Sequence, residues 1–254
     1  MKIPVYIHIP KTGGTYLSQY KNGQPSVVHP MKFIGHRSIV AKTGDPNYLY
    51  WNRDKNREYT QTISKESVRG IPIIITVRNI YSWLVSYAGH AGGWNPRYRD
   101  TSHYDFEAAN KGFEYLVHRI ANREHPWPNR KFIFFQAFCT DREFLPDYVT
   151  RTESLDTDME NLSKKLGLTY HKREKLRVGV HKDYREYYSD KLIQCVKETW
   201  NRELYLYGYT FDNSDVGKAT IKKVVGQSIK NSLMYDIEKD LLEIKGKEVS
   251  RECI

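Results

Sequence analysis

The stretch "YIHIPKTGGT" (residues 6–15) sets Lys11, Thr12, Gly13, Gly14 and Thr15 directly after a run of alternating apolar residues that Pro10 stops. A cation, two hydroxyls and two glycines at a strand-to-helix turn suit a small phosphate-like anion. Backbone N–H groups converge there, the glycines let the backbone come close, and the lysine supplies charge at the lip. The phosphate loop of nucleoside triphosphatases has the order G-x-x-x-x-G-K-[ST], with a hydroxyl after the lysine for magnesium. Here Lys11 precedes the glycines, so the loop is shorter and wraps a smaller anion.

A second stretch, "TVRNIYSWLVSY" (76–87), puts Arg78 at the end of a β-branched run and Ser86 eight residues on, about two turns into a following helix. That spacing lets both face one anion lying across the strand end. A ligand with two separated anionic ends accounts for both stretches.

In this order and context the two stretches resemble the sulfotransferases that use 3′-phosphoadenosine 5′-phosphosulfate (PAPS). "HIPKTGGTYL" is similar to that family's 5′-phosphosulfate loop, and "VRNIYSWLVSYAG" to its 3′-phosphate segment, with Ile80 where the family commonly has proline. The likeness continues through "RTESL" (151–155), similar to an R-x-E-x-L segment. It extends to "YREYYSDKLIQCVKETWNRELYLYGYTF" (184–211), similar to a closing helix with a Tyr-Tyr pair and a terminal Leu-Gly-Tyr-like triplet. It covers roughly residues 3–211.

The resemblance implies PAPS as cofactor, 3′,5′-adenosine bisphosphate as product, and no metal. Lys11 would neutralise the leaving phosphate oxygen, while Thr12, Gly13, Gly14, Thr15 and Tyr16 hold the 5′ anion. Arg78 and Ser86 would bind the 3′-phosphate. The basic stretch "HKREKLRVGVHK" (171–182) would close over it with Lys182, and Tyr184 or a neighbouring tyrosine would lie near the adenine; a solvated basic loop accounts for that stretch equally well. Glu153 corresponds to a glutamate that orients the cofactor loop or a neighbouring helix.

An acceptor hydroxyl needs a base, and histidine suits neutral pH. Of nine histidines, His36 in "KFIGHRSIV" is the first choice, since it resembles the G-H-x-S segment in which carbohydrate 2-O-sulfotransferases carry their catalytic histidine. His29 is a distant alternative. His90 and His103 flank an aromatic loop and are candidates for touching the acceptor, together with Trp94 and Arg97; Arg99, Trp127 and Arg130 extend that set. An arginine-rich loop that only folds over the sheet fits as well. His8, beside Pro10, reads as a buried, hydrogen-bonded side chain. The acceptor is then a small molecule or a carbohydrate.

Positioning these groups requires strands that feed helices. "KIPVYIHI" alternates like a strand, "GIPIIITV" (70–77) reads as a strand buried on both faces, and "KFIFFQ" (131–136) and "DYVTR" (147–151) as further strands. Helices are predicted over "NIYSWLVSYAGH" (79–90) and at 105–122, 156–166 and 187–206. The fold class is therefore α/β, a central parallel sheet flanked by helices, with the phosphosulfate loop at the strands' carboxyl ends. Past Phe211, apolar residues recur every fourth position from Ile221 to Leu241. This is read as an amphipathic helical extension, residues 212–254 appended to a domain of 1–211, and it admits a homodimer.

The chain of 254 residues carries a formal net charge of +10, which calls for an anionic partner. The stretch from Asp212 onward holds 8 basic and 8 acidic residues, so the whole excess belongs to the main domain. Three scattered cysteines, a short and interrupted amino-terminal apolar run and no long apolar stretch suggest a cytoplasmic protein with no membrane partner. Two rivals stand. A nucleotide or sugar kinase with an altered loop would need a magnesium-binding carboxylate at a strand end, and "IPIIITVRN" and "KFIFFQ" end without one. A basic protein binding RNA or acidic glycan without chemistry would spread cations and aromatics over one face, whereas here the interpretable cations stand singly at strand ends, which argues against a nucleic-acid partner.

Overall fold

The computed structural model describes residues 2–17, 28–34, 39–40, 63–96, 105–122, 146–172 and 179–212. In chain order these give β1 (Val5–Ile7), α1 (Gly14–Leu17), β2 (Val28–His29), β3 (Lys32–Ile34), β4 (Ile39–Val40), β5 (Ile63–Ser64), β6 (Ile73–Val77), α2 (Ile80–Ala91), α3 (Phe106–Lys111), α4 (Phe113–Ala121), β7 (Tyr148–Arg151), α5 (Leu155–Leu166), β8 (Thr169–Tyr170), α6 (Asp190–Thr199) and α7 (Asn201–Tyr207). The chain divides into two compact units, Met1–Arg78 with Phe134–Val178, and Asn79–Ile133 with Gly179–Ile254.

The first unit holds a four-stranded sheet in the order β3-β1-β6-β7, and all three pairings are parallel. Tyr6 stands between Phe33 and Ile74, and Ile75 opposite Val149. Every residue of β6 is buried, as its β-branched composition requires of a central parallel strand. On one face Tyr6 and Ile74 pack with Tyr16 and Leu17 of α1 and with Leu155, Met159 and Leu162 of α5. Each fully buried aliphatic side chain there contributes roughly 1.5–3 kcal/mol. The expected α/β class, a parallel sheet with helices packed on it, is what the structure shows. Strand β3 is a finding beyond the sequence patterns, because three residues with Lys32 exposed make no periodic signal.

A hydroxyl chain crosses the sheet at mid-height. The Tyr6 hydroxyl donates to Thr76 Oγ1 at 2.8 Å, Thr76 Oγ1 lies 2.8 Å from Thr150 Oγ1, and Thr150 Oγ1 reaches the Ile75 carbonyl at 3.2 Å. Burial pushes the Tyr6 phenol up to about 12, against the opposing pull of hydrogen bonds to Thr76 and Thr12. The chain thus ties three strands together in the unit's interior and touches the loop after β1.

In the second unit, α2 begins at Ile80, one residue into the stretch where a helix is expected. Asn79 caps it, Oδ1 accepting from Tyr81 N at 3.1 Å, while Asn79 Nδ2 donates to the Thr210 carbonyl at 2.8 Å. Where the spacing predicts one helix over 105–122, there are two, parted at Gly112 with φ 129° and ψ 157°, a region only glycine enters cheaply. The predicted helix over 187–206 is likewise divided: α6 ends at Trp200 (φ −115°), which turns inward and is buried, before α7 starts. Tyr81, Tyr188 and Phe211 meet edge to face at 5.0–5.5 Å.

The expected strand at 131–136, the loops at 97–104 and 123–130, and the carboxyl-terminal helix with the dimer it admits all lie outside the described residues. Among the described residues no helix is long and apolar enough to cross a membrane.

Two stability predictions follow from these contacts. The folded Tyr6 phenol is raised to about 12 against an unfolded value near 10, so its stabilisation is complete below about pH 10 and is lost as pH rises toward 12, by about 3 kcal/mol in all. Urea unfolding from pH 8 to 11.5 should therefore show Tyr6→Phe less stable than wild type at neutral pH by about 1 kcal/mol, with the gap closing above pH 10. For the second unit, Asn79→Ala should cost about 1–3 kcal/mol by losing the cap and the Thr210 donor together, and Asn79→Asp, which keeps the cap alone, should fall between.

Candidate functional site

Because β1, β6 and β7 are parallel, their carboxyl ends lie along one edge of the sheet. The segments leaving that edge in the first unit are His8–Gly13, Arg78 and Thr152–Ser154. The loop after β1 is built under constraint. Lys11 has φ 64°, and it is the non-glycine residue of positive φ among those described; Gly13 follows with φ 91°. A left-handed lysine costs roughly 1–2 kcal/mol, and such strain persists only where the surroundings hold it.

Three contacts do the holding. The Arg78 guanidinium donates through Nη1 to the Lys11 carbonyl at 3.2 Å. Thr12 is fully buried, and its hydroxyl donates to the Ile9 carbonyl at 2.8 Å and meets Tyr6. Leu155 at the start of α5 packs on Gly13 so closely that a Cβ there would fall 2.7 Å from Leu155 Cδ2. Gly14 is equally tight: a Cβ would fall 2.0 Å from His8 Cδ2 and 2.1 Å from His8 Nε2.

The first turn of α1 uses the Gly13 carbonyl twice, accepting from Tyr16 N at 2.9 Å and Leu17 N at 3.2 Å. The amides of Gly14 and Thr15 stand ahead of that ladder, where the helix offers them no acceptor. Together with the half-buried Lys11 and Arg78, they gather donors and basic residues at one end of the sheet. That is a chemistry for holding an oxyanion, with the charge-assisted bonds worth roughly 1.5–3 kcal/mol each.

The predicted residues fare differently. Lys11, Gly13, Gly14 and Arg78 are brought together in the first unit, and the two cations that the sequence assigns to opposite ends of a ligand are linked through the Lys11 main chain. The Thr12 hydroxyl points inward, so what it can offer an anion is its amide. Tyr16 is a core residue, its hydroxyl 3.4 Å from that of Tyr170, which in turn donates to Asp156 Oδ1 at 2.8 Å; burial above all raises the Tyr170 phenol. The side chain of Thr15 lies outside the described set, as do His36, Arg97 and His103.

Ser86, half-buried, and His90, exposed, both lie on α2 of the second unit. Trp94 of that unit, half-buried, lies over Gly89 and Gly92 and stacks on Tyr187 with centroids 5.5 Å apart. Lys182 is exposed and pairs with Glu186 at 3.4 Å. The Tyr184 hydroxyl donates to the Phe211 carbonyl, and its ring carries the Arg185 guanidinium 4.5 Å from its centre. The tyrosine is thereby tied into the unit's own packing.

Two contributors escaped the sequence patterns. In the R-x-E-x-L stretch, Leu155 is the residue that meets the loop, while Glu153 is exposed at the turn before α5. Asp158 anchors the same stretch, its Oδ2 accepting from Arg151 N at 2.8 Å and Ser154 Oγ at 3.0 Å. An aspartate in the first turn of a helix is a recognisable signal; a leucine seated on a distant glycine is not.

No protein-family model matches the chain, and no curated protein matches it. Among solved structures it is similar to a crystal structure of mouse sulfotransferase SULT7A1 complexed with PAP, at 14% identity over 85% of this chain and 86% of that one, with a TM-score of 0.40.

Replacing Lys11 by glycine separates its two roles. Relief of the left-handed strain, set against glycine's greater chain entropy, should leave stability unchanged or raise it by about 1 kcal/mol. Any anion-dependent rise in melting temperature should shrink at the same time, which calorimetry with and without ligand will show.

Proposed function

We propose that this chain is a sulfotransferase that moves a sulfuryl group from PAPS to a hydroxyl or amine of a small molecule or carbohydrate. The observation that carries this reading is the strained Lys11 whose carbonyl is held by Arg78. A glycine would occupy that backbone more cheaply, so the side chain is retained for its charge, next to a second cation and two free-standing amides.

The residues present fit such a donor. Gly13 and Gly14 lie against Leu155 and His8 with no room for a Cβ, which fixes the loop backbone, and the amides of Gly14 and Thr15 with Lys11 suit a 5′-phosphosulfate. Arg78 suits a second phosphate. PAPS supplies, when bound, an activated sulfuryl group on a good leaving phosphate. The protein's tasks are then to orient and to stabilise developing charge. Lys11 balances negative charge on the departing bridging oxygen, and the first-turn amides keep the 5′ end in line.

His36 remains the proposed base; β3 ends at Ile34, two residues before it in sequence. Ser86, Lys182 and Tyr184 remain proposed contacts on grounds of sequence, and His90, Trp94, Arg97 and His103 proposed acceptor contacts. The cytoplasmic setting and the absence of nucleic-acid and membrane partners belong to the same proposal, as does a homodimer through the carboxyl-terminal extension.

Thermal melting with 3′,5′-adenosine bisphosphate, with ATP and magnesium, and with an RNA oligomer separates this reading from its rivals. The bisphosphate at about 100 times its Kd should add roughly 2.7 kcal/mol, and the other two should add little. Arg78→Ala should abolish that gain. His36→Ala should keep it while losing transfer of labelled sulfate to a glycan and phenol panel. Stabilisation by ATP and magnesium alone, or by RNA alone, overturns the proposal.

A further inference from the structure

We propose that Cys195 is a covalent modification site that forms mixed disulfides with small-molecule disulfides, the imidazole of His118 taking the thiol proton. Both residues belong to the second unit, and none of the proposed sulfotransferase residues takes part. Cys195 is a free thiol on α6 and His118 stands on α4, with 3.7 Å between Sγ and Nδ1, a hydrogen-bonding distance for sulfur. On the far side of the ring, His118 Nε2 lies 3.6 Å from Oε1 of Glu114, one turn earlier on α4. Thiol, imidazole and carboxylate therefore stand in a row across two helices.

The order of the row assigns the roles. A carboxylate only accepts hydrogen bonds, so Glu114 favours the tautomer with the proton on Nε2, which leaves Nδ1 as the acceptor facing the sulfur. Once the proton has moved, the imidazolium lies against Glu114 and in the last turn of α4, where the free carbonyls of a helix favour positive charge. Glu198, one turn beyond Cys195 on α6, is engaged by Gln194, whose Nε2 donates to it at 2.6 Å. The helices that carry the pair pack on each other and are anchored by buried neighbours, Val117 and Ile120 on one, Leu192 and Val196 on the other. Cys195 itself is half-buried, and the side chains of His118 and Glu114 are 47% and 61% exposed. The sulfur is thus held in place at the rim of a packed contact, open to a small molecule.

In the reaction the Cys195 proton passes to His118 Nδ1 and the sulfur attacks one sulfur of the disulfide. The new S–S bond forms as the old one breaks, and the departing thiolate leaves with the electron pair and takes the proton back from the imidazolium. Cys195 is oxidised, the leaving half is reduced to a thiol, and no further reagent is consumed. An unassisted thiol is thiolate to only a few per cent near neutral pH, which leaves room for a gain of about ten-fold.

The test incubates the full chain with glutathione disulfide at neutral pH and follows the mixed disulfide by mass spectrometry of digests, which separates Cys195 from Cys139 and Cys253. Cys195 should react about ten-fold faster in the folded chain than in the same chain unfolded in urea. His118→Ala should remove most of that gain, and Glu114→Gln should slow the reaction about three-fold. Because alanine also opens access to the sulfur, an imidazole that merely shields the thiol predicts the opposite sign. A His118→Ala rate equal to or above wild type overturns the proposal, as does a folded chain no faster than the unfolded one. Should His118→Ala lower the melting temperature, Glu114→Gln carries the comparison, and a rate equal to wild type then overturns it.

Discussion

The hydrogen bond from the Arg78 guanidinium to the Lys11 carbonyl is the interaction on which the candidate site depends. It turns an accident of backbone strain into a fixed arrangement. A left-handed lysine left to itself relaxes toward ordinary conformations with a gain of roughly 1–2 kcal/mol. With its carbonyl held by a cation at the end of the neighbouring strand, relaxation would also cost a charge-assisted bond. The same contact sets the Arg78 guanidinium against the main chain of a second basic residue.

That contact is possible only because β1 and β6 are adjacent and parallel, which in turn rests on the interior beneath it. The Tyr6, Thr76 and Thr150 hydroxyls lie where aliphatic side chains would pack without polar demands, yet each finds a partner across the strands. A satisfied buried network fixes register more sharply than apolar packing, since a slip by one residue would leave its hydroxyls unpaired. Thr12 connects this network to the loop, so the position of the loop backbone is set from below by hydroxyls and from the side by Arg78 and Leu155. Rigidity of this kind is what a site needs if its amides are to meet an anion without reorganising.

Much of this was legible in the residues and some was not, for physical reasons. Strand β6 announced itself because a run of β-branched residues bounded by glycine and proline has few other uses. Lys11 and Arg78 were legible as charges at strand ends, but their adjacency depends on which strands are neighbours, and local patterns do not encode that. Asn79 carried a recognisable capping signal, whereas its second bond, to Thr210, joins positions 131 residues apart. The division of 105–122 was written in Gly112, yet an isolated glycine within a helical pattern is often tolerated. The seat of Trp94 was not legible: its indole lies over Gly89 and Gly92 and stacks on Tyr187, contacts that no local pattern encodes.

The two glycines of the loop illustrate how one motif can carry separate constraints. Gly13 is required by its own backbone, at φ 91°, and by Leu155 from a helix more than a hundred residues later in the chain. Gly14 has ordinary helical backbone and no need of conformational freedom; its constraint is the imidazole of His8, six residues earlier. A substitution at Gly13 therefore strains the chain and displaces α5, while one at Gly14 displaces a ring beside the leading amides of α1. Spacing alone makes the pair look redundant. Geometry divides it into one glycine that shapes the loop and one that yields its side-chain position to another residue.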